Sequence, residues 1–245
     1  MYLILPFASV IIGYLISLLI KPTDNKNLKL LLAFSGSFLL TLTVCHLLPE
    51  IYTGADALHD HSHHDHAHHD HSHDHGHAHA HNPIGIFIMV GILLQIILEY
   101  FSKGAEHGHV HTHDKSIPYT LFISLCLHAL LEGMPVSQHH DMAWGIAIHH
   151  LPIAVILASF FTQATTSKTK VFLYMFVFAL MTPLGTLLAE QFEFLHQYQK
   201  QITAIVIGIL FHISATIIFE SSEGHKFNLA KLIAIVAGMI LASFM

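Results

Sequence analysis

Eight apolar runs of 16 to 22 residues limit what this chain can fold into more than any other feature. A helix of about 20 apolar residues crosses the roughly 30 Å hydrocarbon core of a bilayer. The runs are Tyr2–Ile20, Leu28–Pro49, Pro83–Ser102, Pro118–Val136, Met142–Thr162, Val171–Ala189, Ile202–Phe219 and Leu229–Phe244. The sequence therefore predicts an all-α protein, an eight-span transmembrane helical bundle that forms a single domain over residues 1–245.

Composition agrees with a membrane protein and excludes a nucleic-acid partner. Apolar residues make up 53% of the chain and charged residues only 11%. The formal net charge is −6, no arginine is present, and no basic stripe could follow a phosphate backbone. The first run lacks a basic leading region and a small-residue cleavage site, so we expect a retained span and not a signal peptide. The expected surroundings are a lipid bilayer.

The lysines predict the orientation, because cytoplasmic loops of membrane proteins are enriched in basic residues. With the amino terminus outside, nine of the ten lysines lie in cytoplasmic loops or their flanks, and only Lys200 lies on the opposite side. An even number of spans then places both termini outside the cytoplasm. We expect a multi-pass protein of the plasma membrane, or of the inner membrane in a bacterium.

Histidine is unusually abundant, with 26 residues in the chain. Thirteen of them lie between His59 and His81, interspersed with aspartates and without apolar periodicity. Residues 56–81 are thus predicted to form a disordered extracytoplasmic loop that binds metal, although a solvated loop that binds metal incidentally is the alternative. A short cytoplasmic loop, residues 103–117, carries four more histidines. Histidines on both faces favour a protein that passes metal through the membrane.

The candidate metal ligands lie inside two neighbouring spans. His128 and Glu132 are four residues apart and share one face of a helix. His149 and His150 lie in the next span, shortly before Pro152, which leaves a backbone carbonyl without its helical donor. Ionisable groups are costly in hydrocarbon and usually face the interior of a bundle. Imidazole nitrogen and carboxylate oxygen suit zinc and other divalent metals, so this pattern predicts an intramembrane metal site.

Alternatives remain open for each of these side chains. Glu132 could be a structural partner of His128 and not a ligand. His149 and His150 point about 100° apart on a helix, so we expect only one to share a site with His128 directly. His149 is favoured, with His150 in a neighbouring position.

Other polar residues in the spans are less specific. His46 and Glu50 form a second i, i+4 pair at the outer end of the second span, where they could line an entrance or lie at the interface with water. His212 in the seventh span is a candidate path residue, although a structural role is favoured. Glu99 and Gln95, one turn apart in the third span, are interpreted as structural.

With these residues in place, the chain resembles the ZIP family of divalent-metal transporters over all eight spans. The motifs that carry the resemblance are His128-x-x-x-Glu132-Gly133, His149-x-x-Pro152, His46-Leu-Leu-Pro-Glu50 and Thr182-Pro-Leu-Gly185. The resemblance implies a metal site between the fourth and fifth spans, formed here by His128, Glu132, His149 and His150. It also implies transport by alternating access, in which the fourth and fifth spans carry the ion relative to a scaffold of flanking spans.

Three residues depart from the family pattern. Ala129 stands where the family has a coordinating Asn or Ser. Ile153 replaces a glutamate after the proline of span five, and Thr182 replaces a carboxylate before the proline of span six. These departures predict a single-metal site rich in imidazole, with a preference for nitrogen-loving ions such as zinc.

The predicted function is therefore transport of divalent metal into the cytoplasm, with zinc as the main substrate and iron, manganese, cadmium or cobalt as others. An exporter of another histidine-rich class and a non-transporting metal sensor or buffer are the alternatives. An enzyme is not expected, because no His-Glu-x-x-His segment of a zinc hydrolase is present. Whether the protein forms a homodimer stays open.

Overall fold

A computed structural model describes seven stretches of the chain, and the regular structure within them is helical. The described residues are 2–19, 25–56, 83–102, 119–139, 141–164, 167–220 and 229–245. Both histidine-containing loops, residues 56–81 beyond Asp56 and residues 103–117, lie outside the described residues. The all-α class is confirmed for this part of the chain.

Ten α-helices are assigned in these stretches. They are α1 (Ile4–Leu19), α2 (Asn25–Leu42), α3 (Leu48–Asp56), α4 (Ile84–Ser102), α5 (Tyr119–Gly133), α6 (Met142–Ala164), α7 (Lys168–Gln191), α8 (Glu193–Gln197), α9 (Gln199–Glu220) and α10 (Leu229–Ser243). A π-helical turn, Thr43–Leu47, joins α2 to α3, and a 3-10 turn, Met134–Ser137, extends α5.

Six of the eight predicted spans coincide with helices that are long and apolar enough to cross a membrane. The other two, α1 and α10, are apolar but have only 16 and 15 residues. At 1.5 Å per residue they are about 24 and 22 Å long, shorter than the hydrocarbon core of a typical bilayer. The count of eight spans therefore stays a prediction.

The long helices pack in two groups. In the first group, α1 packs most extensively against α6 and also contacts α7, while α5 packs against α7. In the second group, α2 packs against α10 and α9, and α4 packs against α9. The groups meet where α2 contacts α6 and where α4 contacts α5. Both spans with the candidate ligands, α5 and α6, belong to the first group.

Glycines allow the close approach of backbones at these helix pairs. A Cβ atom on Gly91 of α4 would overlap the carbonyl oxygen of Ile205 in α9, and one on Gly208 of α9 would overlap that of Ile88. Gly238 of α10 approaches α2 in the same way. Helices in lipid gain no hydrophobic drive from each other, so close contact through small residues is a main source of their attraction.

Several hydroxyl groups inside the bundle donate to carbonyls of their own helices. In and just after α2, the hydroxyls of Ser35 and Ser37 donate to carbonyls three residues earlier, and those of Thr41 and Thr43 to carbonyls four residues earlier. This bonding lets polar side chains remain in a medium that offers no water. The outward face is apolar, as Ile86, Met89 and Leu93 of α4 illustrate, so the helices can face lipid directly.

Candidate metal centre

The centre of the site is one carboxylate on α5. His128 and Glu132, both fully buried, are one turn apart on this helix, and His128 Nε2 lies 3.0 Å from Glu132 Oε1. The i, i+4 spacing therefore brings the two side chains together on one face, as the sequence predicts.

The neighbouring helix α6 adds a third ligand candidate from His149. One ligand atom each from His128, Glu132 and His149 lies within 4.8 Å of the other two, and all three residues are buried. Ligand atoms around tetrahedral zinc are about 3.3 Å apart, so modest side-chain rotations would close this group around an ion. Among the described residues, this is the group of three or more His, Cys, Asp or Glu side chains close enough together to hold one ion.

His150 approaches the other oxygen of the same carboxylate. Its Nε2 lies 3.2 Å from Glu132 Oε2, and its ring lies 5.5 Å from that of Phe178, measured between centroids. Glu132 thus faces one imidazole with each oxygen, His128 with Oε1 and His150 with Oε2. His149 is thus the histidine of α6 that groups with His128 and Glu132, as the sequence favours, and His150 takes a neighbouring position at the other carboxylate oxygen.

Close contact between α5 and α7 positions this carboxylate. A Cβ atom on Gly133, the residue after Glu132, would overlap the carbonyl oxygen of Thr182, and one on Gly185 would overlap that of Leu130. The Thr186 hydroxyl donates to the Gly133 carbonyl at 2.7 Å. These contacts fix the backbone on both sides of Glu132.

A similar contact positions α6. The Ser9 hydroxyl of α1 donates to the carbonyl oxygen of Ala147, two residues before His149. The contact between α1 and α6 is the most extensive in the first group, and it holds the helix that carries the two histidines. The donor set is one carboxylate and three imidazoles, with a single negative charge to offset the charge of a divalent ion.

The positions that depart from the family pattern offer no carboxylate. Ile153 packs in the apolar cluster between α1, α5, α6 and α7, and Ala129 belongs to the same cluster. Thr182 is buried against Gly133 but contributes only a hydroxyl and its backbone.

Glu50, which the sequence pairs with His46, contacts a histidine that the sequence analysis did not single out. Glu50 Oε2 lies 3.0 Å from His139 Nδ1, and His139 lies in the short turn between α5 and α6. The Gln138 side chain contacts that of Gln199 beside it. The signal that could have identified this turn is the sequence pair His139-His140, because His139 lies at the same end of the bundle as Glu50.

His46 lies in the π-helical turn, half-buried. The backbone N–H of Leu48 donates to the carbonyl of Thr43, five residues earlier, and Pro49 follows without a donor of its own. Such turns are often found at functional sites. The predicted pairing of His46 with Glu50 stays a prediction.

A second ionisable pair lies between α4 and α9. His212 Nε2 is 2.7 Å from Glu99 Oε2, and each side chain is 21% exposed. No pattern in the sequence predicts that these two residues meet, although each is a candidate by itself.

Comparison with known proteins identifies the family. The sequence model of the ZIP zinc transporter family matches residues 55–245. The chain belongs to the ZIP family. The family match covers the helices from α4 to α10, including every candidate ligand of the site, and confirms the resemblance carried by the motifs in α5, α6 and α7, whereas the motif from His46 to Glu50 lies before the matched residues.

Two named relatives of the family share part of the sequence. Protein zntD of Dictyostelium discoideum is 33% identical over 109 residues, which covers 35% of this chain and 16% of that protein. Zinc transporter ZIP1 of Danio rerio is 32% identical over 88 residues, covering 33% of this chain and 29% of that protein. The chain thus matches less than a third of the length of either relative.

Proposed function

We propose that this protein carries divalent metal, chiefly zinc, across a membrane towards the cytoplasm, with His128, Glu132, His149 and His150 as the ligands in transit. The observation that supports this most is the buried carboxylate of Glu132 between three imidazoles from two adjacent helices. Buried ionisable groups in membrane spans are costly and mark ion pathways. The family and the name of the zebrafish relative support zinc as the substrate.

Alternating access is the proposed mechanism. The ligands all lie on α5 and α6 in the first helix group, and the second group borders them along α2 and α4. A displacement of one helix group relative to the other would expose the bound ion first to one side of the membrane and then to the other, without a continuous pore. The distribution of lysines supports both termini outside the cytoplasm and a location in the plasma or inner membrane.

Uptake of radioactive zinc tests this proposal directly. We expect faster zinc accumulation in cells that produce the protein than in control cells, and concentration-dependent influx in vesicles that contain the purified protein. Saturable zinc binding without flux would instead identify a metal sensor or buffer. Net loss of zinc from the cells would identify an exporter.

Lowering the external pH should reduce uptake. An imidazole must be neutral to bind metal, and its ordinary pKa is near 6.5, so protonation competes with zinc in acid. We expect zinc influx to be high at pH 7.5 and to fall below about pH 6. Equal influx from pH 7.5 to pH 5.5, measured in vesicles with a constant membrane potential, would contradict a site rich in histidine.

Deleting residues 59–81 should affect capture more than transport. Thirteen histidines raise the local concentration of metal near the membrane, but no single one of them is needed for passage. We expect the concentration for half-maximal influx to rise while the maximal rate is preserved. If the maximal rate were lost in a protein that still reaches the membrane, the histidine tract would be part of the path itself.

A further inference from the structure

Glu99 of α4 and His212 of α9 offer a carboxylate and an imidazole, the same two kinds of donor as the central site. His212 Nε2 and Glu99 Oε2 are 2.7 Å apart, and both side chains keep about a fifth of their surface exposed. Gln95 lies one turn before Glu99 and is buried. An imidazole next to a carboxylate inside a membrane span is rare, and such groups usually serve an ion pathway.

The backbones of the two helices approach closely on one side of this pair. Gly91 of α4 and Gly208 of α9 meet where the helices cross, and Glu99 and His212 follow further along the same two helices. From this crossing to the pair, the contacts advance along both chains in the same sense, so α4 and α9 run parallel. The crossing holds the two helices that carry the donors close together, which favours a preformed binding position.

A hydrogen bond links this pair to the helix of the central site. The Ser124 hydroxyl of α5 donates to the carbonyl of Leu98, the residue before Glu99, at 3.0 Å. Ser124 is one turn from His128, about 6 Å along the helix axis. Because Ser124 precedes His128 in α5, the pair lies towards the Tyr119 end, the side of the 103–117 loop.

We propose that Glu99 and His212 form a second divalent-cation position, at which a metal ion stops between the central site and the side of the 103–117 loop. Its part in transit rests on the proposed transport function, whereas the binding itself does not. Two protein donors with water at the remaining coordination positions would bind more weakly than the central group. Weaker binding on the release side suits a carrier, because an ion must leave as well as enter.

Apolar side chains also pack between the helices that carry the two positions. Leu131 of α5, Ile213 of α9 and Leu94 of α4 belong to one apolar cluster.

The alternative is a structural hydrogen bond between the two side chains, and Glu99→Gln separates the two roles. A glutamine oxygen can still accept a hydrogen bond from His212, but the neutral amide is a poor ligand for a divalent metal. We expect Glu99→Gln to fold with the thermal stability of the parent and to lower maximal zinc influx about tenfold. Influx equal to that of the parent would show a structural bond and overturn the proposal.

A binding measurement on the full-length chain decides the matter independently of transport. In His212→Cys, a small thiol reagent labels the introduced cysteine, and peptide mass spectrometry follows position 212 separately from Cys45 and Cys126. We expect cadmium to slow labelling at position 212 about tenfold. The double variant His212→Cys/Glu99→Gln should lose this protection.

The same assay separates this position from the central site. Adding Glu132→Ala to His212→Cys should leave the cadmium protection intact even though zinc influx is lost. If cadmium protects the thiol in the presence of Glu99→Gln, or fails to protect it when only Glu132 is replaced, the proposal is wrong. If the parent shows no zinc flux, the transport proposal fails, while the labelling result still decides whether the second position exists.

Discussion

Zinc influx should fall at least about a hundredfold when Glu132 is replaced by alanine. Glu132 is the one carboxylate of the central group and lies within 3.2 Å of imidazole nitrogens from both α5 and α6. Its removal takes away a proposed ligand, the only negative charge of the group and the carboxylate that both helices share. Loss of an outer partner of a metal ligand already costs about 10- to 100-fold in affinity, and loss of a ligand should cost at least as much.

The measurement is the initial rate of radioactive zinc influx into vesicles with equal amounts of parent and variant protein. Glu190→Gln is the matched control, because this glutamate is exposed at the end of α7 and lies outside the donor group. His128→Ala should show a loss of influx similar to that of Glu132→Ala. A Glu132→Ala protein that folds normally and transports within about twofold of the parent would exclude this carboxylate from the path.

The second large effect is expected at Gly185, where α7 approaches α5. A Cβ atom at this position would overlap the carbonyl oxygen of Leu130 and come within 3.3 Å of the Gly133 Cα atom. Both contacts are backbone atoms, which cannot rotate away as a side chain can. Gly185→Ala should therefore separate the helices and destabilise the protein by about 1–3 kcal/mol or more, as overpacked cores do.

Zinc binding should be lost together with stability, because Gly133 directly follows Glu132 and the displacement would move the ligand. The matched control is Gly85→Ala in the first turn of α4, where the nearest atom to an added Cβ is the Tyr52 hydroxyl oxygen at 4.0 Å. Thermal unfolding in detergent, followed with and without zinc, compares the two variants. An unfolding temperature of Gly185→Ala equal to that of Gly85→Ala would show that the two helices can separate at little cost.

The positions of most helices along the chain can be predicted, because they depend on local features of the sequence. Apolar runs indicate helices in lipid, where every backbone group must be bonded within its own segment. The predicted third span, Pro83–Ser102, and the observed α4 differ by one residue, and the fifth span begins at Met142 in both. The pairing of His128 with Glu132 can also be predicted from the sequence, since one helical turn brings the two side chains together.

Contacts between segments that are distant in the sequence cannot be predicted from local patterns. The meeting of Glu99 with His212, and of Glu50 with His139, joins residues 113 and 89 positions apart, and no local periodicity encodes such a distance. The same holds for the placement of both His149 and His150 near Glu132, which depends on how α6 is rotated about its axis relative to α5.

The sequence by itself thus determined the helical class, the positions of the apolar segments and the identity of the central ligand candidates. Each of these follows from interactions within one turn of a helix or from the requirement that lipid-exposed segments be apolar. The tertiary structure decided which helices form groups, where glycines let their backbones touch, and which ionisable side chains share a site. Those features depend on the relative placement of helices, which close contact between segments far apart in the sequence sets.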